Sequence, residues 1–129
     1  MFKNLDIFNT AQSLAVHASA RQAISAQNIA NADTPGYAAR DVTPFQMDAA
    51  PDGPGFAPRT TRTGHFGADA TAAMGIEVIR REDAAHSPNG NSVSLEEEML
   101  KSVDAKRDHD KALAIYKSSL RVLRTALGR

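Results

Sequence analysis

The sequence predicts a mainly α fold, in which two long helices at the chain ends pack as an antiparallel coiled-coil pair. A Pro/Gly-rich, largely irregular central segment joins them and carries a short β element. Three observations lead to this reading. All six Pro, and every Gly except Gly128, fall between Pro35 and Gly90, so both flanks are free of helix breakers. Each flank repeats its apolar or small residues at alternating spacings of four and three. Each also carries a terminus signal where the breakers begin. The chain accordingly divides into an N-terminal helix over 1–34, a connecting segment over 35–92 and a C-terminal helix over 93–129.

In the N-terminal flank the seam runs through Ala11, Ala15, Ala18, Gln22, Ser25, Ile29 and Ala32, widened by Leu14 and Ile24. Small seam residues let two backbones approach closely, but each buries little area, so this helix is marginal alone and wants partners on more than one side. Its end is written in the run Asn28-Ile29-Ala30-Asn31-Ala32-Asp33-Thr34-Pro35-Gly36-Tyr37. The residue before a proline is driven out of helical geometry, so the helix finishes by about Asp33. Pro35 presets one turn position and Gly36 supplies the positive φ that a type II turn needs at the next. Asn28 and Asn31 lie three apart on one side of the last turns, placed to hold either the turn or a neighbouring chain.

The connecting segment holds one strand signal, Ile76-Glu77-Val78-Ile79, and three scattered aromatics, Phe45, Phe56 and Phe66, placed to pin loops to the helices. So long a structureless connection is unusual within a compact domain, which implies either disorder in the free subunit or ordering against neighbours, and we favour ordering on assembly.

The C-terminal flank opens on Ser94-Leu95-Glu96-Glu97, where Ser94 is an N-cap and Glu97 is positioned to complete a capping box. Glu96, Glu97 and Glu98 in the first turns and Lys117, Arg121 and Arg124 in the last ones complement the helix dipole. Its apolar positions are Leu95, Met99, Leu113, Tyr116, Leu120, Leu123 and Leu127, with Val103 nearby and an interruption at Lys106 and His109. Polar residues at such positions lower stability and fix register.

Composition excludes more than it indicates. With 15 basic and 15 acidic residues the formal net charge is zero, so nothing draws the chain to nucleic acid or anionic lipid. Cysteine and tryptophan are absent, which removes disulfides, thiolate metal sites and a large aromatic core. His17, His65, His86 and His109 include no pair at metal-binding helical spacing, and no phosphate-loop, dinucleotide or nucleophile-elbow pattern occurs. We therefore expect no enzyme activity, no cofactor, no metal site and no small-molecule substrate. No run reaches the roughly 20 apolar residues of a membrane span and no secretory signal is present. Taken alone, those absences suggest a cytoplasmic protein, such as a coiled-coil adaptor or export chaperone binding one partner.

The pattern N-x-A-N-x-x-T-P-G-Y, carried by Asn28, Asn31, Thr34, Pro35, Gly36 and Tyr37, resembles the signature of bacterial flagellar axial proteins, the rod and hook subunits. Arg40, Asp41 and Val42, followed by Phe45, make it more similar to the proximal rod proteins of that family. The block Gly90 to Met99 and the ending Leu123 to Arg129 are also similar to theirs. Two differences stand out: Thr43 and Pro44 add a residue before Phe45, and Ser94 replaces a more usual Asp.

The resemblance implies a structural subunit that leaves the cell through the flagellar type III apparatus and assembles across the periplasm. Its implied partners are further copies of itself, other rod proteins, the rod-to-MS-ring adaptor and the export gate, in a helical hetero-oligomer of the basal body. On this reading Asn28, Asn31, Thr34, Pro35, Gly36 and Tyr37, with Arg40, Asp41 and Val42, make the turn and subunit contact. Ala11, Ala15, Ala18, Ile29, Leu113, Tyr116, Leu120, Leu123 and Leu127 supply the helix packing. Phe45, leading to Ala49, is a short hydrophobic export signal.

Overall fold

The structure, a computed structural model, describes residues 2–46, 76–81 and 87–128. Four elements follow in order: α1 (Phe2–Ala30), β1 (Arg40–Val42), β2 (Val78–Arg80) and α2 (Leu95–Ala126). Phe56, Phe66, His65, His86 and Ala49 lie outside the described residues.

The two helices run antiparallel. Phe8 early in α1 meets Tyr116 late in α2, edge to face with ring centroids 5.1 Å apart. At the other end Ser25 Oγ donates to the Glu98 carbonyl oxygen at 2.7 Å. Between them Arg21 Nη1 pairs with Asp108 Oδ2 at 3.1 Å.

The seam between the helices is made of small residues. Ala11, Ala18 and Ser25 are buried on α1, and Glu98, Ala105 and Ala112 are buried on α2. Both sets step by seven residues, in opposite directions, so the Ser25 to Glu98 bond sets Ala18 level with Ala105 and Ala11 level with Ala112. Residues seven apart return to one face of a helix, and the facing alanines at two of these three levels let the backbones come close through the middle of the pair.

Against α1 the expected packing stripe of α2 is only partly engaged, Tyr116 meeting Phe8 while Leu113 and Leu127 stay outside the seam. Leu113, Tyr116 and Leu127 are 40, 42 and 79 % exposed, and only Leu120 and Leu123 are partly covered. The expected stripe through Met99, Lys106 and Leu113 sits one residue, or about 100°, around the helix from the buried Glu98, Ala105 and Ala112. Leucine carries the stronger hydrophobic signal, but opposite Ala11 and Ala18 the buried positions of α2 are the alanines Ala112 and Ala105. Lys106 therefore interrupts nothing; it is exposed and pairs with Asp110 four residues on.

The β element is a two-stranded antiparallel sheet with Arg40 opposite Arg80, Asp41 opposite Ile79 and Val42 opposite Val78. The strand expected over 76–79 begins at Val78, and its partner β1 carried no recognised strand signal. Flanking bonds from Thr43 N to Glu77 O (3.1 Å) and from Arg81 N to Ala39 O (2.9 Å) extend the ladder at both ends. Val42 faces α1 and is buried, whereas Val78 and Ile79 are exposed. Beyond the sheet, His17 is buried in α1 and its Nε2–H donates to the Thr43 carbonyl at 2.7 Å, with the Phe45 ring 5.5 Å from its own.

Ser94 caps α2, its Oγ accepting from Glu97 N at 3.5 Å. The capping box is half made. The Glu97 carboxylate turns away to accept from Arg81 Nη1 at 2.8 Å, and Ser94 Oγ donates to Glu96 instead.

Two substitutions separate the buried seam from the exposed stripe. Ala105→Leu forces a leucine between two closely packed backbones and should cost about 1–3 kcal/mol. Leu113→Ala should stay within about 0.5 kcal/mol in the isolated chain. Urea unfolding followed by circular dichroism reads both, and the reverse ranking would refute the register.

Candidate functional site

The run at the end of α1 and the block before α2 are brought together into one polar junction. A helix that stops leaves its last carbonyls without internal partners. At the end of α1 the carbonyls of Gln27, Asn28 and Ile29 are met locally by Asn31 N and Ala32 N. In the turns beyond it, the carbonyls of Asn31, Ala32 and Thr34 all converge on a single group, the Asn91 side-chain amide, at 2.9, 2.9 and 2.8 Å. The other half of that amide is used as well, since Asn91 Oδ1 accepts from Val93 N at 2.7 Å. Asn91 is buried at 2 % exposure and lies about 60 residues downstream of the turns it holds.

One turn earlier, Asn28 has no exposed surface at all and is equally occupied. Its Nδ2 donates to the Arg40 carbonyl at 2.7 Å, and its Oδ1 accepts from Arg40 N–H at 3.1 Å and from the Tyr37 hydroxyl at 3.2 Å. The carboxamide thus pairs with both backbone groups of Arg40 as a neighbouring strand would, and starts β1 against α1. Buried inside its own chain, Asn28 is not available to a neighbour. Asn31 works locally: its Nδ2 donates to Gln27 O and its Oδ1 accepts from Thr34 Oγ1.

The turn has the expected form. Tyr37 N donates to Thr34 O at 3.2 Å, and Gly36 has φ of 71°. Against it lies a second tight turn, Ser87 to Gly90, closed by Gly90 N to Ser87 O at 2.8 Å. The two turns are tied by Gly36 N to Asn89 O (3.0 Å), Ser92 N to Tyr37 O (3.1 Å) and Ala39 N to Ser92 Oγ (2.8 Å). They approach closely enough that a Cβ on Gly90, whose φ is 78°, would stand 3.5 Å from the Gly36 Cα. Thr34, Pro35 and Gly36 remain exposed at this end of the molecule, with Tyr37 half-buried.

Ionic contacts join the sheet to α2. Lys101 Nζ lies 2.6 Å from Asp41 Oδ2 and 3.2 Å from Glu98 Oε1. Glu98 is 1 % exposed, and its Oε2 has no hydrogen-bond partner among the described residues. Burial pushes the Asp41 carboxyl up, but the hydrogen bonds from Lys101 and from Val42 N–H together hold it below its ordinary value. Arg81 holds Glu97 low in the same way, and its own guanidinium is raised by that hydrogen bond.

The remaining candidates divide by burial. Arg40 is exposed on β1, Val42 is buried, and Phe45 is half-buried beside His17. Ala11 and Ala18 lie in the intrachain seam, while Ala15 and Ile29 are half-buried at its margin. Sequence reasoning placed Ser25 in the seam and singled out the block around Asn91 and Ser92 without its hydrogen-bonding role, and it missed Glu98, Lys101, Ala105 and Ala112 as junction and seam residues. The matching intervals of seven between Ala11 and Ala18 and between Ala105 and Ala112 were the available signal. Among the described residues no cluster of His, Asp and Glu could hold a metal, and no helix is long and apolar enough to cross a membrane. The arrangement caps, pairs and presents surface.

Comparison with known proteins agrees with this arrangement of motifs. A family profile described as "Flagella basal body rod protein" matches residues 8–37, which run from Phe8 of α1 to the turn tyrosine. A flagellar basal body rod protein FlgB of Agrobacterium fabrum is 36 % identical over 124 residues, covering 92 % of this chain and 90 % of that protein. The FlgB of Cereibacter sphaeroides is 33 % identical over 120 residues, covering 88 and 92 %. That of Salmonella typhimurium is 30 % identical over 113 residues, covering 83 and 82 %.

Two outcomes test the junction. Asn91→Ala leaves the carbonyls it caps short of a donor and should cost about 2–3 kcal/mol, while Asn91→Asp sets a carboxylate against three carbonyls and should cost more. Urea midpoints measure both. Because the folded-state pKa of Asp41 is depressed, the stability it contributes is present at neutral pH and lost as pH falls through and below the carboxylate range. Lys101→Met should flatten that acid limb of the stability profile.

Proposed function

The chain belongs to the FlgB family of flagellar basal body rod proteins, and we propose that it is a proximal rod subunit that polymerises through its two terminal helices. A structural role in the rod comes with the family. The observation that carries the mode of assembly is the apolar stripe left over on α2. Leu95, Met99 and Leu113 are all at least 40 % exposed and lie about 100° around the helix from Glu98, Ala105 and Ala112. A helix with two apolar stripes, one filled by its own chain, has a second face for a neighbour. Near Tyr116, Val122 and Leu123 with Ile7 and Phe8 line an open apolar cleft that continues this surface.

Mechanism follows from how much each contact can bury. The seam is alanine, and alanine side chains bury little area, so the helix pair by itself sits close to the balance between burial and ordering entropy. That balance suits export of a loosely folded chain through the flagellar type III apparatus and its gate, with Phe45 as the short hydrophobic signal. At the growing end, the exposed stripe of α2 packs on the helices of identical and related rod subunits, and the thin seam is absorbed into a thicker core. Such contacts are heterologous and repeat by rotation and rise, giving a tube that carries torque. The first subunits laid down meet the rod-to-MS-ring adaptor. The junction of α1, β1 and the Asn91 block fixes the angle at which the middle of the chain leaves the helices.

The deciding experiment is quantitative mass spectrometry of detergent-extracted hook and basal-body complexes. A fixed ratio of this chain to the other rod proteins is expected. Its absence, with the other rod proteins present, would instead favour a cytoplasmic adaptor or export chaperone.

Variants sharpen the test. Leu113→Glu should leave the isolated chain folded yet abolish incorporation and motility. Gly36→Val should also abolish motility, for a different reason. Nothing lies within 4 Å of a Cβ at Gly36, so its cost is purely conformational, and a β-branched residue is the worst choice at φ of 71°. Full motility of either strain would overturn the corresponding assignment.

A further inference from the structure

The turn that ties the junction shut contains a reactive dipeptide. Asn89 alone among the asparagines precedes a glycine. It lies in the exposed stretch Ser87 to Gly90, where water reaches it freely. We propose that Asn89 is a spontaneous deamidation site, that the closed junction holds the reaction off, and that isoaspartate formation at this position unlatches the end of α1.

The chemistry needs no partner but water. The Gly90 backbone nitrogen attacks Asn89 Cγ, the Cγ–Nδ2 bond breaks, and the departing amide nitrogen leaves as ammonia with the proton lost from Gly90. The resulting succinimide is opened by water at either carbonyl. Attack at Cγ breaks its bond to the Gly90 nitrogen and gives aspartate. Attack at the former backbone carbonyl breaks that bond instead, routes the chain through the side chain and gives isoaspartate. Glycine offers no Cβ to obstruct ring closure.

In the closed junction both reacting groups are occupied. Gly90 N–H donates to Ser87 O at 2.8 Å, and Asn89 Oδ1 accepts from Asn91 N at 3.1 Å. The Asn89 main-chain carbonyl is held too, by Gly36 N at 3.0 Å. Ring closure requires Gly90 N–H to leave Ser87 O and the Asn89 carboxamide to swing onto that nitrogen, so the rate reports how often this turn opens. The interior it depends on is mostly polar, with Asn28, Asn91, Ser92 and Glu98 buried beside only Ala39 and Val42. A region held by hydrogen bonds over so little apolar area opens locally before the chain unfolds as a whole.

The product matters because Asn91 is so close along the chain. Isoaspartate adds a backbone atom and a charge two residues before Asn91, the residue whose amide caps Asn31, Ala32 and Thr34. The Asn91 amide cannot keep three acceptors within 2.9 Å when its backbone is displaced. The inference rests on these contacts and not on the rod assignment.

The test incubates the full chain at mildly alkaline pH, folded and in urea, and follows amide-to-acid conversion in the peptide containing Asn89 by mass spectrometry. Conversion should be at least about tenfold slower in the folded chain, as expected for a reaction gated by local opening. Hydrogen exchange then compares the isoaspartate product with the variant Asn89→Asp, which has the charge but a normal backbone. Faster exchange at the Gly36 and Ala39 amides in the isoaspartate chain, with α2 near Ala105 unchanged, is the expected result. Equal conversion rates in the folded and denatured chains, or equal exchange in the two products, would overturn the proposal.

Discussion

A chain that turns sharply after a helix must satisfy the carbonyls of the turn, and in this protein one carboxamide from far along the chain does so. Asn91 takes three of them, those of Asn31, Ala32 and Thr34, and the rest of the junction is arranged around that contact. The last carbonyls of α1, from Gln27 to Ile29, are met locally by Asn31 N and Ala32 N, whereas the turns beyond the helix are held by the segment before α2. The Pro35-Gly36 turn and the Ser87 to Gly90 turn are tied together by Gly36 N to Asn89 O and Ser92 N to Tyr37 O.

The interior has two regions with different physics. Along the helices it is alanine against alanine, which sets a short distance and tolerates no bulk. At the junction it is polar, built from Ser25, Asn28, Asn91, Ser92 and Glu98. Hydrogen bonds contribute modestly each but are costly to leave unmade, so such an interior selects one geometry more than it adds stability. The Asp41–Lys101–Glu98 contacts follow the same logic, since a carboxylate as buried as Glu98 requires a cation beside it. A chain built this way holds its turn at a defined angle while its helices keep large apolar surface for others.

That leftover surface results from the alanine seam. Had α2 turned Leu113 and Met99 toward α1, the helices would have been forced apart and the junction could not have closed, since Ser25 reaches the backbone of Glu98 at 2.7 Å. Close approach near Ser25 and Glu98 commits the middle of the pair to small residues, with the aromatic Phe8–Tyr116 contact only at its far end. Leu113 and Met99 are then displaced to the flank.

Several features were legible in the amino-acid order because they depend on neighbours in sequence. Breakers gathered between Pro35 and Gly90, with only Gly128 beyond, set where helices could form, Thr34-Pro35-Gly36 set where the first one stops, and Ser94 set where the second begins. The run carrying Asn28 and Tyr37 also identified the family. Tertiary structure alone decided what Asn28 and Asn91 bind, which face of α2 turns inward, and that Arg40 to Val42 is a strand. These depend on groups brought together from distant positions in the chain and on how closely two backbones can approach. A periodic pattern shows that a stripe exists, but Leu113 and Ala112 belong to stripes of the same period, and only the space left by Ala11 and Ala18 chooses between them.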